Sequence, residues 1–317
     1  GVTAILPRGE QTNNTPVFGG WFALNGNGEM TGTTWLEESG FLEGPVMITN
    51  THSIGAVHEG VIQWRVNLGA GDASGYWWSL PVVAETWDGY LNDINGFHVR
   101  AEHAKAALER AASGPVTEGN VGGGTGMICH EFKCGVGTAS RVVEAADQNY
   151  TVGVLVQANY GERELLRIAG VPVGQHITHD KAYASNPPRS ADTGSIIIVV
   201  ATDAPLMPHQ LKRLARRASL GLARNGSVAG NSSGDIFIAF STANVAADQS
   251  AIGVSIDTLP NDSIVPLFRA TVESTEEAII NAMIAASDMT GHEGHVVKAI
   301  DHEELRSVMR EYNRLQE

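Results

Sequence analysis

The chain has 317 residues, 43% of them hydrophobic, and carries a formal charge of −14. That is ample apolar material for a sizeable core, and the acidic balance argues against nucleic acid or an anionic membrane as partner, because both need clustered Lys and Arg. The longest aliphatic run, Ile196–Ala201, is far short of the roughly 20 residues that span a bilayer. A soluble, enzyme-sized protein is expected, in one domain over residues 1–317, because no flexible linker divides the chain.

The N-terminal third reads as β-rich and punctuated by glycine. Two apolar stretches flank Asn25-Gly26 within residues 17–40, a hairpin signal. Residues 45–64 continue as two short segments separated by Ser53 to Gly55. The first helix is expected over 101–113, with Ala and Leu at helical spacing and Gly114-Pro115 after it. A glycine-dense stretch follows, then a strand at 150–161 and another from Ser195. Residues 207–226 form an amphipathic helix with Pro208 near its start and Asn225-Gly226 at its stop. A strand is expected at 234–244, and two helices finish the chain. The first covers 274–291 and opens on a Ser-x-x-Glu capping box; the second covers 301–315 and pairs Asp301 with Glu304 in the same way. Without strict βαβ alternation, the pattern suggests layered α+β, sheets between helices.

Cys129 and Cys134 lie in "CHEFKC", a spacing unlike a zinc knuckle or a thioredoxin-type site, and no second Cys pair exists. Reduced structural cysteines are expected, ahead of a disulfide, and no metal site. "GGGTG" (122–126) lacks the strand before and helix after that a dinucleotide fingerprint needs. "GNSSGDIF" (230–237) lacks the G-x-S-x-G elbow, and its local reading is a polar turn. Ser233 and Asp235 at i and i+2 extend to one side of a strand mouth, where they could hold an amine and a hydroxyl.

"ADTGSIIIVVATDAP" (191–205) places the small residues Thr193, Gly194 and Ser195 before a strongly apolar strand. The local reading is a tight turn. The alternative is a chain cut before Ser195, freeing a serine whose α-amine, ordinarily near 7.7–8.0, acts as base to its own hydroxyl, with no histidine needed. Self-cleavage needs that hydroxyl poised on the carbonyl of Gly194, which has no side chain in the way and can adopt strained φ/ψ.

The segments "GWFALNGNGEMTGTTWLEESGFLEGPVMITNTHSIG", "LPVVAETWDGYLNDING", "GTGMICHEFKCGVGTASR", "YTVGVLVQANYGERELLRIAGVPVG", and the "GSIIIVVATDAPLMPHQLKRLARR" and "SGDIFIAFSTAN" stretches resemble, in order and over nearly the whole chain, the DmpA-type family. Its members are L-aminopeptidases/D-amidases/esterases and β-aminopeptidases, with the nylon-oligomer hydrolases as distant relatives. The resemblance implies an αββα four-layer sandwich, like N-terminal-nucleophile (Ntn) hydrolases but with its own connectivity. It further implies self-cleavage before a Ser or Thr that opens a strand, here Gly194–Ser195, into 1–194 and 195–317. By the same resemblance Ser195 is the nucleophile and Asn159, in "VQANYG", helps form the oxyanion hole. Ser233 and Asp235 bracket the new amine. Lys133 falls where the nylon hydrolases carry a lysine near the nucleophile, with the same spacing from Met127, and would depress the amine's pKa; the local alternative is an exposed strand-end lysine. The family tyrosine lies in "ETWDGYLND", at Trp87 or at Tyr90, with Tyr90 preferred, and Glu85 is the carboxylate expected to meet a substrate ammonium.

The implied activity is hydrolysis of the amino-terminal residue of short peptides, amino-acid amides or esters, with no cofactor. An acyltransferase on the same scaffold and an uncut, non-catalytic binding protein are the alternatives. A homotetramer is implied, in the cytoplasm or the periplasm. The start at Gly1 is later than the resemblance leads one to expect, so the expectation is either a missing N-terminal strand or a truncated numbering.

Overall fold

The computed structural model describes residues 1–9, 15–71, 74–183, 194–245, 247–248 and 253–315. In chain order the strands are β1 (Thr3–Ile5), β2 (Val17–Gly26), β3 (Phe41–Leu42), β4 (Val46–Asn50), β5 (Val82–Thr86), β6 (Ile128–Cys129), β7 (Phe132–Lys133), β8 (Val136–Ala145), β9 (Gln148–Asn159), β10 (Ser195–Thr202), β11 (Gly234–Ser241), β12 (Met289–Thr290) and β13 (Val296–Val297). The helices are α1 (Thr33–Ser39), α2 (Ile54–Asn67), α3 (Ala101–Glu109), α4 (Val173–His176), α5 (Pro208–Arg224), α6 (Val265–Ile284) and α7 (His302–Glu311).

A six-stranded sheet runs β3-β2-β11-β10-β9-β8, and a three-stranded sheet runs β1-β4-β5. Alternation along β10 explains how they stack. Ile196, Ile198 and Val200 share a core with Leu211, Leu214 and Ala218 of α5 and Leu267, Ala278 and Ile279 of α6. Ile197 and Val199 point the other way, to Ile48 of β4 and Val82 and Ala84 of β5. The far side of the small sheet, through Met47 and Val83, is covered by Val57, Val61 and Trp64 of α2 and Ala104 and Leu108 of α3. Helices, sheet, sheet, helices is the αββα sandwich. Because β10 is covered on both faces, its run is continuously apolar rather than alternating. Among the described residues no helix is long and apolar enough to cross a membrane.

Several local expectations are corrected. Asn25-Gly26 does not close a hairpin: β2 pairs with β11 and β3. The stretch after it folds into α1, flanked by Gly32 and Gly40, both left-handed, with Leu36 buried. The segment after Ser53 is α2, not a strand. The exposed-alternating strand β8, which begins within the glycine-dense stretch, forms the sheet edge beside β9. Helix α6 begins at Val265 with Pro266 in its first turn, so Ser274 is a buried interior residue and not a cap. The Asp301 cap does form: its Oδ1 accepts the N–H groups of Glu303 and Glu304, both at 2.9 Å. Cys129 and Cys134 are not reduced; they form a disulfide with Cα atoms 5.4 Å apart. The β6–β7 hairpin folds the chain back on itself and so supplies the proximity that linear spacing did not reveal.

Candidate active site

Ser195 opens β10 and Asn159 closes β9, and the antiparallel register sets them level. On its other side Ser195 is level with Gly234 of the parallel neighbour β11. The ends of three adjacent strands thus bring the expected nucleophile, oxyanion donor and Ser233–Asp235 pair together, all buried. Alternation puts Ser195 on the face of Ile197, toward the small sheet, and Ser233 and Asp235 on the face of Phe237, toward the helices. By this alternation the pair lies on the opposite face of the sheet from the Ser195 side chain. Ser233 Oγ donates to Asp235 Oδ1 at 2.7 Å.

The close approach of a neighbouring strand accounts for glycine at position 194. A Cβ there would sit 2.2 Å from the Asn159 carbonyl oxygen and 2.7 Å from Tyr160 Cα, so the close approach of β9 excludes any side chain. The Gly194 carbonyl accepts the Gly234 N–H at 3.1 Å. Thr193, grouped with Gly194 by composition, lies outside the described residues.

The Asn159 carboxamide is held at both ends. Its Oδ1 accepts the Ile128 N–H at 2.9 Å, and its Nδ2 donates to the Trp87 carbonyl at 2.8 Å. A carboxamide nitrogen carries two hydrogens, so one is left for a ligand. Two residues down β9, Gln157 Nε2 donates to Thr49 O at 3.1 Å and Thr86 Oγ1 at 2.8 Å, tying the two sheets beneath the site.

Lys133 is fully buried, not an exposed strand-end residue. Its Nζ donates to the carbonyls of Cys134 (2.5 Å), Met127 (2.8 Å) and Gly124 (3.4 Å). Burial pushes its ammonium down to about 7. These contacts lie within its own loop, and it approaches the centre through its ladder partner Ile128.

Glu85, at the end of β5, accepts from Thr51 Oγ1 on Oε2 and from the Glu29 N–H on Oε1 at 3.1 Å. Desolvation raises its pKa, and those two donors partly oppose the rise. The carboxylate lies close to the start of β11 across Gly28. A Cβ on Gly28 would lie 3.2 Å from Glu85 Oε1 and 3.1 Å from Gly234 Cα, so the absence of a side chain there keeps the two close. Asp88, beside it in sequence, is also pushed up by burial and accepts from Asn50 Nδ2 at 3.1 Å.

The two candidates for the family tyrosine separate clearly. Tyr90 turns away: its hydroxyl donates to Ala182 O at 2.7 Å, and its ring stacks on His295 at 4.2 Å. Trp87 supplies the carbonyl on Asn159 and is 44% exposed, its indole lying over Gly89, where a Cβ would come 2.6 Å from the ring.

Gly122–Gly126 forms a 3-10 turn whose glycines are packed against protein. Cβ atoms at Gly123 and Gly124 would strike Gln157 Oε1 at 2.0 Å and Val136 N at 2.5 Å, which leaves no phosphate cradle. Among the described residues no three His, Cys, Asp or Glu side chains are grouped as metal ligands. A cleft of about 460 Å³ lies between Gly1-Val2 and α3, and one of about 590 Å³ lies between α2 and α3; none of the residues above lines either. Thr51, Gln157, the Ile128 N–H and the Gly234 N–H were not anticipated. Thr51 alone had a signal, a short polar run just past an apolar strand.

The chain matches the model of peptidase family S58 over residues 1–297. It is 52% identical to a β-peptidyl aminopeptidase, BapA, of Sphingosinicella microcystinivorans, covering 99% of this chain and 81% of that protein. The structure of the L-aminopeptidase D-Ala-esterase/amidase of Ochrobactrum anthropi, described as a variant of the Ntn hydrolase fold, superposes with a TM-score of 0.94 at 52% identity, over 99% of this chain and 86% of that one. A Burkholderia sp. β-aminopeptidase gives 0.89 at 47% identity, over 98% and 86%. On a match this extensive, the chain belongs to peptidase family S58.

Proposed function

We propose that this protein is a self-processing serine aminopeptidase/amidase, one hydrolase domain that cuts itself at Gly194–Ser195 and then removes amino-terminal residues from short peptides, amides or esters. β-Amino acids are among the first residues proposed, since two of the similar proteins are β-aminopeptidases. The observation that carries the reading is the alignment of Ser195 between Asn159 and Gly234 at the ends of three central strands.

Self-cleavage begins with Ser195 Oγ attacking the Gly194 carbonyl carbon. The charge develops on an oxygen already hydrogen-bonded to Gly234 N–H at 3.1 Å. The C–N bond breaks as the nitrogen takes up the hydroxyl proton and becomes the Ser195 α-amine, and water hydrolyses the resulting ester to a Gly194 carboxylate and a free Ser195 hydroxyl. That residue's α-amine then takes the hydroxyl proton as Oγ attacks a substrate carbonyl. The remaining Asn159 N–H stabilises the oxyanion, Ser233 and Asp235 orient the amine, and Glu85 receives the substrate ammonium. The leaving amine departs with a proton, and water releases the acyl group.

The test is intact mass under denaturing conditions, with the amino-terminal sequence of each fragment. Two chains, the second beginning Ser-Ile-Ile-Ile-Val, are expected. Ser195→Ala is expected to give one uncut chain without amidase activity; a cut, active Ser195→Ala protein would overturn the proposal. The proposed assembly is a homotetramer, to be read by light scattering. The buried disulfide favours the periplasm over the cytoplasm, because disulfides persist in oxidising compartments.

A further inference from the structure

We infer that the Cys129–Cys134 disulfide is a positioning element of the reaction: it holds the Ile128 N–H on the Asn159 carboxamide and so keeps the second Asn159 N–H aimed at the substrate carbonyl. The inference rests on the reading of Asn159 as oxyanion donor. Only a flip separates the productive orientation of a carboxamide from one that presents oxygen, and here two contacts set it, Ile128 N–H on Oδ1 and Trp87 O on Nδ2. If Ile128 moves away, the orientation loses one of its two anchors.

Ile128 sits in a hairpin with little strength of its own. β6 and β7 have two residues each and pair at Ile128–Lys133 and Cys129–Phe132. Their turn, His130-Glu131, has both residues left-handed, at φ 48° and 62°, although neither is Gly or Asn. Isolated two-stranded ribbons are marginal in water. The turn end is clamped by Arg163, whose Nε donates to His130 O and Nη2 to Glu131 O, both at 2.9 Å. The end that faces Asn159 is braced by the disulfide, between the residue after Ile128 and the residue after Lys133, and by the Lys133 ammonium. Cys134 N–H also returns to Met127 O at 3.1 Å, so the bridge ties together the chain on both sides of Ile128. Both cysteines are fully buried. The bridged segment is short, which places the chain-entropy gain of this bond low in the usual range. What it secures is local register.

The test is a double-mutant cycle on processed enzyme, with the p-nitroanilide of L-alanine or β-alanine, whichever the wild type cleaves. Cys129→Ala/Cys134→Ala is expected to lower kcat about tenfold at unchanged KM, part of the hundred- to thousandfold that loss of an oxyanion donor costs. In an Asn159→Ala background the same pair is expected to change kcat no further, because the group it positions is gone. If Asn159→Ala costs rate and the disulfide loss multiplies with it, or if kcat is unchanged without the bridge, the positioning role is overturned. If Asn159→Ala alone costs nothing, the oxyanion reading itself falls. Should the cysteine-free protein not fold, wild type reduced in mild denaturant and checked by alkylation mass reports the same kcat.

Discussion

Replacing Lys133 with Met isolates the cost of keeping an ammonium inside this fold. Burial pushes the folded group down to about 7, against an ordinary 10.5 for an exposed lysine. Between those values the unfolded chain binds a proton that the folded chain has released, so stability rises with pH across that window. Below pH 7 both states hold the proton, and Lys133 contributes no slope. At about 1.4 kcal/mol per pH unit per proton, discounted near pH 7 where release is only half complete, the gain from pH 7 to pH 9 is about 2 kcal/mol. The three carbonyls on Nζ favour the charged form, which makes this a ceiling. The assay is urea unfolding at pH 7, 8 and 9 in a Ser195→Ala background, so that every sample is one uncut chain. Other groups add the same slope to both proteins, so the quantity of interest is the difference between them. Wild-type Lys133 is expected to gain up to about 2 kcal/mol on the Met variant across the range. Parallel profiles would refute the argument and mean that the carbonyls hold the proton against burial.

Gly194→Ala, in the same uncut background, is expected to destabilise by about 1–3 kcal/mol in denaturant unfolding, because the new Cβ overlaps the Asn159 carbonyl. With Ser195 restored, mass spectrometry should show cleavage abolished or greatly slowed; normal stability and cutting would mean that the close approach does not matter. Glu85→Gln is expected to raise KM for substrates with a free amino terminus while self-cleavage proceeds, since the Gly194–Ser195 bond presents no ammonium; an unchanged KM would remove Glu85 from substrate binding. Tyr90→Phe should cost about 1 kcal/mol of stability, the bond to Ala182 O, and leave kcat within about twofold. A hundredfold loss of kcat would put the Tyr90 hydroxyl back in the reaction.

What could be read from sequence was whatever rests on local pattern. The unbroken Ile196–Val200 run marks a strand covered on both faces, and Pro208 and Asn225-Gly226 bound α5 closely. The cluster of Ser195, Asn159, Ser233 and Asp235 was reached through resemblance, and the ladders bring all four together. What stayed hidden depends on partners distant in sequence. β2 pairs with β11 from the far part of the chain, so Asn25-Gly26 mimicked a hairpin that does not exist. β8, an edge strand with alternating exposure, carries a weak apolar signal. Ser274 resembled a cap because its spacing to Glu277 fits, while the apolar turns before it were already helical. The disulfide needed the left-handed His130-Glu131 turn, which neither residue type advertises.

The position of β10 within its sheet bears on when the proposed cut could occur. It lies inside, with eight register pairs to β9 on one side and the parallel ladder to β11 on the other, and β11 is closed in turn by eight pairs to β2. Residues 195–317 therefore thread two strands between strands supplied by residues 1–194, and neither piece builds the sheet alone. The Gly194 carbonyl is aligned by Gly234 and Ser195 by Asn159, so on the proposed self-cleavage the reacting bond would be assembled only when all three strands have found their register. The proposed scission would then act as a proofreading signal for folding: the uncut fraction in a preparation would count the molecules in which that register was never reached.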